Sequence, residues 1–337
     1  MYGIALAAAA LTVSGAPSPA DRFSEAIGAA LQADQPRALK ALEGVDLTGL
    51  PERDQAAARC MIDRFKSAGP SAPREADSLA VRALGYYRSY WHRAMARPDR
   101  RQAEERQLES RLRALLNAAP DSRFDELEQL LAERSLREGF YSLQGRTGLL
   151  RELMIWSKQE ARTMRATLPE GDHEVKVFLL DDFKSLGWSA HATCNRASTG
   201  GWATDKALFA VVPKYPSLDH EEFRVTFLGH EAQHFADKLR FKDLQPWELE
   251  YRAKLTELAQ ARTTRARVIG KFLDDQGDNP ASPHSYANRK LLSEMTDRLQ
   301  LASPKSLATA ELEVVQATAV ALLREDSARR RAAVQAE

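Results

Sequence analysis

The sequence of 337 residues is long enough for two domains, each with a hydrophobic core of its own. Its 48 lysines and arginines nearly balance its 47 aspartates and glutamates, which argues against nucleic acid or an anionic membrane as a partner recruited by net charge. Only two cysteines occur, Cys60 and Cys194, too few for a disulfide scaffold but enough for one bridge in an exported protein.

Residues 1–16 form an apolar run that ends in small residues, as the core and cleavage site of a signal peptide do. No lysine or arginine precedes this run, so the charged segment that usually opens a signal peptide is missing or truncated. Pro17 and Pro19 end the run too early for it to span a bilayer, and no later stretch is a transmembrane candidate. We therefore expect an exported protein, periplasmic or secreted. The alternative is a cytoplasmic protein in which the run forms a buried helix.

We predict a helical N-terminal region over residues 21–165. Apolar residues recur there at helical spacing, for example at Leu84, Tyr87, Trp91 and Met95. Aromatic residues with this spacing are usually core, so we interpret them as packing residues and not as a ligand surface. The last predicted helix of the region carries four apolar residues, Leu150, Leu153, Met154 and Trp156.

The hydrophobic period changes near residue 165, which is our predicted domain boundary. A second domain is expected over residues 166–302, followed by a C-terminal helix and tail over 303–337. Within the second domain, three segments are predicted to be β-strands, namely 173–180, 188–195 and 207–212. Strand 207–212 is expected either to pair with an extended substrate at a sheet edge or to be purely structural, and Gly200 and Gly201 would permit a close backbone approach.

An HExxH motif follows these strands at His230, Glu231 and His234. Asp219 is expected to cap the helix that carries the motif, with Glu222 completing a capping box. Residues four apart share a helix face, so both imidazoles can reach one metal ion. Glu231 lies about 100° round the helix from His230, where it can hold a water molecule beside the metal without ligating it.

A catalytic zinc ion takes three protein ligands and leaves one position for water. The metzincin pattern HExxHxxGxxH would supply a third histidine, but here Asp237 replaces its glycine and Arg240 replaces that histidine. Aspartate does not readily make the glycine turn and a guanidinium cannot bind a cation, so this pattern is excluded. Asp237 lies one turn after His234, where it would either orient a ligand imidazole or pair with lysine or arginine.

The alternative third ligand is a glutamate on the next helix, which Pro246 is well suited to begin. Glu250 lies about one turn inside that helix and would face His234 in a helical hairpin. Glu257 lies about 10 Å deeper by helix rise and is expected to overshoot, and Glu248 points about 160° away from Glu250. We therefore predict Glu250 as the third ligand, with Glu248 and Glu257 as the alternatives.

These residues resemble the gluzincin type of HExxH metallopeptidase, over roughly residues 170–290. The resemblance implies a zincin-like catalytic domain, a Zn²⁺ cofactor and hydrolysis of an amide, usually in a peptide or protein substrate. The chain departs from the thermolysin-type pattern at Lys254, where that pattern has an aspartate four residues after the third ligand. The predicted fold class is α+β and predominantly α-helical. In it, a helical N-terminal region precedes a zincin-like domain with a small β-sheet and an active-site helix.

In this hypothesis Glu231 takes a proton from zinc-bound water and passes it to the leaving amine. His284 and Tyr286, in a loop expected after the ligand helix, are the predicted oxyanion donors, and Tyr251 and Arg252 are alternatives. Two other functions remain open. One is a helical binding or scaffold protein with a non-catalytic HExxH motif, and the other is a zinc amidase acting on a non-peptide substrate.

Overall fold

The structure is a computed structural model that describes residues 17–71 and 73–336, so the predicted signal peptide, residues 1–16, lies outside the described residues. The fold is α+β and predominantly helical, with 58% helix and a curled, mixed sheet of five strands, as the sequence predicts. The chain forms two units. Unit 1 comprises the described residues up to Trp156 together with Phe183–Ser198, and unit 2 comprises Ser157–Asp182 and the described residues from Thr199 onward. The chain therefore passes between the units three times, and a single boundary near residue 165 does not describe this division.

Unit 1 is built mainly of helices. They are α1 (Pro19–Leu31), α2 (Gln35–Leu42), α3 (Glu52–Lys66), α4 (Leu79–Ala96), α5 (Arg101–Leu115), α6 (Phe124–Arg137) and the short α7 (Trp188–Ala192). Ser18 and Asp21 form a capping box at the start of α1, which satisfies backbone donors that the first turn leaves free. Helix α4 buries its predicted stripe of apolar residues, including Tyr87 and Trp91, in the core of this unit.

A disulfide bond joins Cys60 of α3 to Cys194, which follows α7. The two cysteines are separated by 134 residues in sequence and their Cα atoms lie 6.2 Å apart. Both cysteines lie in unit 1, and the long loop that the bond closes includes Ser157–Asp182 of unit 2. The sequence permitted this bridge without predicting it.

The sheet has the strand order β1-β2-β3-β5-β4. Its strands are β1 (Tyr141–Thr147), β2 (Leu150–Ala166), β3 (His173–Leu186), β4 (Gly201–Ala203) and β5 (Leu208–Val211). Strands β1 and β2 are antiparallel, β3 and β5 are parallel, and β4 and β5 are antiparallel. Strands β2 and β3 each run from one unit into the other.

Two secondary-structure predictions are wrong. The predicted helix with Leu150 and Trp156 is the first part of β2, where the run 150–156 is almost continuously buried and so lacks the alternation of a half-exposed strand. A short apolar run of this kind cannot be distinguished from a buried helix by its period alone. The predicted strand 188–195 begins instead with helix α7, and a left-handed turn follows at Cys194 and Asn195.

The predicted strand 207–212 is confirmed as β5, but β5 is not an edge strand. It lies between β3 and β4, so β4 forms the edge at that end of the sheet among the described strands. Gly201 in β4 does permit a close approach, because a Cβ atom there would collide with the carbonyl oxygen of Phe209 and the ring of Phe227. Gly201 therefore allows β4 to pack closely against β5 and Phe227.

The helices of unit 2 follow the sheet in sequence. They are α8 (Glu221–Phe223), a π-helical turn (Arg224–Gly229), α9 (His230–Arg240), α10 (Pro246–Gln260), α11 (Arg265–Asp274), α12 (Pro283–Arg298) and α13 (Leu312–Ala336). Helix α10 lies at the centre, in contact with α9, α12 and α13, and is buried along most of its length. No helix in the described part of the chain is long and apolar enough to cross a membrane.

Candidate metal centre

The HExxH motif forms the first turns of α9, as its sequence predicts, but the helical segment begins differently from the prediction. The expected capping box of Asp219 and Glu222 is wrong, because the first helical residue is Glu221 and His220 is the capping residue. The Nδ1 atom of His220 accepts a hydrogen bond from the backbone N–H of Glu222 at 3.2 Å. The π-helical turn then leads directly into His230.

His230, His234 and Glu250 come together between α9 and α10. The Nε2 atoms of the two histidines lie 3.2 Å apart. The carboxylate oxygens of Glu250 lie 3.4 Å from Nε2 of His234 and 3.6 Å from Nε2 of His230. These three side chains are the one group of histidine, cysteine and acidic residues in the described chain whose geometry suits a metal ion.

These spacings fit a tetrahedral zinc ion. With ligand distances of about 2.0–2.1 Å, two ligand atoms of a zinc tetrahedron are separated by about 3.4 Å. The Nε2 atoms lie 3.2 Å apart, Oε1 of Glu250 lies 3.4 Å from Nε2 of His234, and Oε2 of Glu250 lies 3.6 Å from Nε2 of His230, all close to that edge length. The donor set of two neutral imidazoles and one carboxylate is also the His₂Glu set of catalytic zinc sites. The residues present therefore fit the ion that the sequence predicts.

Glu257 contributes a contact that the sequence analysis did not predict. Its Oε1 atom lies 2.6 Å from Nδ1 of His230, and both side chains are buried. A ligating histidine commonly donates its second N–H to a carboxylate, which fixes the ring orientation and makes the ligating nitrogen more basic. Glu257 therefore holds Nε2 of His230 toward Glu250. The sequence suggested that Glu257 lies too deep on α10 to reach the site. In the structure this depth places the Glu257 carboxylate at Nδ1 of His230, on the side of the ring away from Glu250.

The electrostatics of the cluster follow from burial and proximity. Burial alone would lower the pKa of His230, but the hydrogen bond and charge of Glu257 and the charge of Glu250 raise it above its ordinary value. For Glu250, burial favours the neutral acid, yet hydrogen bonds from His234 and His284 hold the pKa of the carboxyl far below its usual range. Glu250 is therefore a carboxylate at neutral pH, the form that binds a cation.

His284 reaches this cluster and Tyr286 does not. His284 is the second residue of α12, and its Nδ1 atom lies 2.8 Å from Oε2 of Glu250. Its side chain is 65% exposed, so the ring borders solvent. Tyr286 is not among the residues that line the cavity at the site, and its ring packs edge-on against Trp247 at 5.1 Å. Both residues lie within α12 and not in the expected loop.

The alternative donors Tyr251 and Arg252 also point away from the cluster. The hydroxyl of Tyr251 donates to Glu294. The guanidinium of Arg252 is fully buried and binds Asp237 through two hydrogen bonds of 2.9 and 2.8 Å, and Asp326 at 2.7 Å. Asp237 therefore pairs with an arginine, one of its two predicted roles, and the carboxylate that orients an imidazole is Glu257 instead. This network ties α10 to α9 and α13.

Two further charged residues of α10, Glu248 and Lys254, lie in different surroundings. Glu248 caps its own helix through the backbone N–H of Gln245 and pairs with Arg330 at 3.0 Å, away from the histidines. Lys254 stands where the thermolysin-type pattern has an aspartate, and its Nζ atom lies 3.7 Å from Glu250. The ammonium thus compensates part of the negative charge that Glu250 and Glu257 bring into the buried cluster.

A cavity of about 650 Å³ opens onto the two histidines and Glu250. Glu231 lines it and is half-buried, so its carboxylate can reach a molecule bound there. Apolar side chains from α9 and α10 form part of the wall, among them Phe235, Leu239 and Leu249. Ala203, at the end of edge strand β4, also borders the cavity. The volume suits a small ligand or a few residues of a peptide.

Comparisons of the chain with protein-family models, with curated proteins and with solved structures find no match.

Proposed function

We propose that this protein is a zinc-dependent peptidase of the gluzincin type, with His230, His234 and Glu250 as the zinc ligands. The observation that carries this proposal is the convergence of three side chains from two helices. The Nε2 atoms of His230 and His234 lie 3.2 Å apart, and the two carboxylate oxygens of Glu250 lie 3.6 Å and 3.4 Å from them, respectively, separations close to the edge of a zinc tetrahedron. The HExxH motif itself contains only two of the three proposed ligands, His230 and His234. The third, Glu250, comes from the next helix, α10.

When bound, zinc supplies Lewis acidity that activates water near neutral pH and polarises a carbonyl group. The Glu231 carboxylate accepts a proton from the attacking water and delivers it to the nitrogen of the leaving amine as the C–N bond breaks. Glu257 keeps the His230 ring in place throughout, since its hydrogen bond occupies Nδ1.

His284 is the proposed oxyanion donor. Its Nδ1 atom lies beside Glu250, so Nε2 is the nitrogen that can reach a substrate. A neutral imidazole that donates from Nδ1 can only accept at Nε2, whereas the imidazolium donates from both nitrogens. His284 would therefore stabilise an oxyanion in its protonated form.

The cavity walls support a peptide as the substrate. Edge strand β4 borders the cavity and can add an extended peptide as a further strand, through main-chain hydrogen bonds that do not depend on sequence. Phe235, Leu239 and Leu249 would then contact an apolar side chain of that peptide. We also propose export, because a disulfide such as Cys60–Cys194 persists in oxidising compartments and is rare in the cytosol.

The test is hydrolysis of a mixture of unstructured peptides by the purified protein. We expect cleavage that 1,10-phenanthroline abolishes and added Zn²⁺ restores, with cleavage sites enriched in apolar residues. A zinc-loaded protein that leaves all peptides intact but cleaves a non-peptide amide would favour the amidase alternative. A protein that binds no zinc and cleaves neither would favour a binding or scaffold role.

A further inference from the structure

A second cavity, of about 250 Å³, lies entirely within unit 1. It is lined by Arg64 of α3, Arg88 of α4 and the segment that runs from the end of β3 into α7, including His191. No aspartate or glutamate is among its lining residues. The cavity is therefore basic on several sides at once, although the whole chain is close to neutral.

The two arginines are fixed in place without being neutralised. Arg64 donates to the backbone carbonyl of His191, and Arg88 donates to the carbonyl of Lys184 at 3.2 Å. A carbonyl group accepts a hydrogen bond but carries no net charge, so both guanidinium charges remain uncompensated. Neither arginine forms an ion pair with a carboxylate within residues 17–71 and 73–336, in contrast to the half-buried Arg151, which pairs with Glu105. Each guanidinium has five N–H donors, so most of them stay available to a ligand.

The pKa of His191 is lowered by its partial burial beside the two arginines in the cavity wall. Its ring lies 5.4 Å from that of Trp91, and the side chain is half-buried. Burial, together with the charges of Arg64 and Arg88, lowers the pKa of His191 to about 3. Burial and the nearby Arg88 also lower the pKa of Arg64. The charges of Arg64 and Arg88 thus make the local potential positive, which favours an anion in the cavity.

We propose that this cavity binds a compact oxyanion, a phosphate group in particular, between Arg64, Arg88 and His191. Guanidinium groups bind phosphate and sulfate through paired N–H donors, and neutral His191 can add a further donor. The volume lies below the roughly 300–1,000 Å³ of pockets for drug-sized ligands, so the anion must be small. A free phosphate ion and the phosphate of a small monoester share the chemistry that this cavity recognises.

The experiment is an isothermal titration of the full chain with inorganic phosphate at low ionic strength, followed by phosphoserine as a phosphate monoester. The protein carries His230→Ala, which removes the proposed zinc site and prevents phosphate from binding a metal there. We expect saturable binding of one phosphate, weakened about ten- to hundredfold by Arg64→Gln and by Arg88→Gln. Tighter binding of phosphoserine than of inorganic phosphate would identify an organic phosphate as the ligand, and the reverse order would identify the free anion.

Arg59→Gln is the matched control, because Arg59 is an exposed arginine of the same helix α3 whose recorded contact is with Gln55. It removes the same charge and should leave the affinity unchanged. Arg88→Lys, which keeps the charge but loses the paired donors, should bind with intermediate affinity and is available if the glutamine variants do not fold. Absence of saturable binding to the parent protein, or equal weakening by Arg59→Gln, would overturn the proposal.

Discussion

The contact between Glu257 and His230 gives the most informative perturbation of the proposed centre. Glu257→Gln keeps the size of the side chain but removes the charge that faces Nδ1 of His230 at 2.6 Å. Loss of such a supporting carboxylate typically lowers metal affinity about 10- to 100-fold, which corresponds to about 1.4–2.7 kcal/mol of binding free energy. We expect weaker zinc binding in this range, because the imidazole becomes less basic and its orientation less fixed.

The assay is competition for Zn²⁺ between the protein and a fluorescent chelator at pH 7.5. Glu248→Gln is the matched control, since Glu248 is a glutamate of the same helix that faces Arg330 and not the histidines. Glu250→Ala provides the reference for loss of a ligand and should weaken binding more than Glu257→Gln does. Unchanged affinity in Glu257→Gln, or an equal loss in Glu248→Gln, would refute the role assigned to Glu257.

Three further predictions concern separate parts of the molecule. Glu231→Gln should retain zinc but lower kcat by about 10²–10⁴-fold, and full activity in a peptide-cleavage assay would remove Glu231 as the proton acceptor. Cys60→Ser should lower the free energy of unfolding of unit 1 in urea by about 2–5 kcal/mol, because the unfolded chain regains the entropy of a loop of 134 residues. Reduction of the disulfide in the wild-type protein should lower the free energy of unfolding by the same amount. The pKa of His191 is about 3 in the folded protein and 6.5 in the unfolded chain. As the pH falls from 6.5 toward 3, His191 takes up a proton only in the unfolded chain, so the free energy of unfolding should decrease. His191→Gln should therefore show a shallower loss of stability over this interval in urea titrations than the control His173→Gln, and identical slopes would contradict this account.

The convergence of His230, His234 and Glu250 could be predicted from the sequence because their arrangement is mostly local. The spacing of His230 and His234 is set by one turn of helix, and Pro246 marks the start of the helix that supplies Glu250. The role of Glu257 was missed because helix rise gives depth along an axis but not the packing angle between two helices. Once α10 crosses α9 as it does here, a residue two turns beyond Glu250 meets the far side of the His230 ring.

The sheet was harder to predict because its signals depend on burial. Residues 150–156 are buried almost without interruption, and their sequence, with Arg151 and Glu152 after Leu150 and four apolar residues at 153–156, does not alternate as a half-exposed strand does. The hairpin with β1 is defined only by the pairing of the two strands in the structure. The identity of the edge strand is likewise a matter of topology. The three residues of β4 are too few to be recognised as a strand in the sequence, yet they separate β5 from the edge and border the cavity.

The network around Arg252 illustrates a third kind of limit. Local spacing alone suggests Arg252 as an oxyanion donor and allows Asp237 to orient an imidazole, since each lies close in sequence to a predicted ligand. In the structure they bind each other in full burial, and Asp326 from the distant helix α13 completes the pair. A partner 74 residues away along the chain cannot be identified from local spacing.

The zinc content of the purified protein tests the central claim most directly. Inductively coupled plasma mass spectrometry of the protein, after zinc loading and extensive dialysis, should find one zinc ion per chain. Single replacements of His230, His234 or Glu250 by alanine should each abolish this stoichiometric zinc while the circular dichroism spectrum stays helical. A wild-type protein without zinc, or a full equivalent of zinc retained by His230→Ala, would contradict the proposed centre.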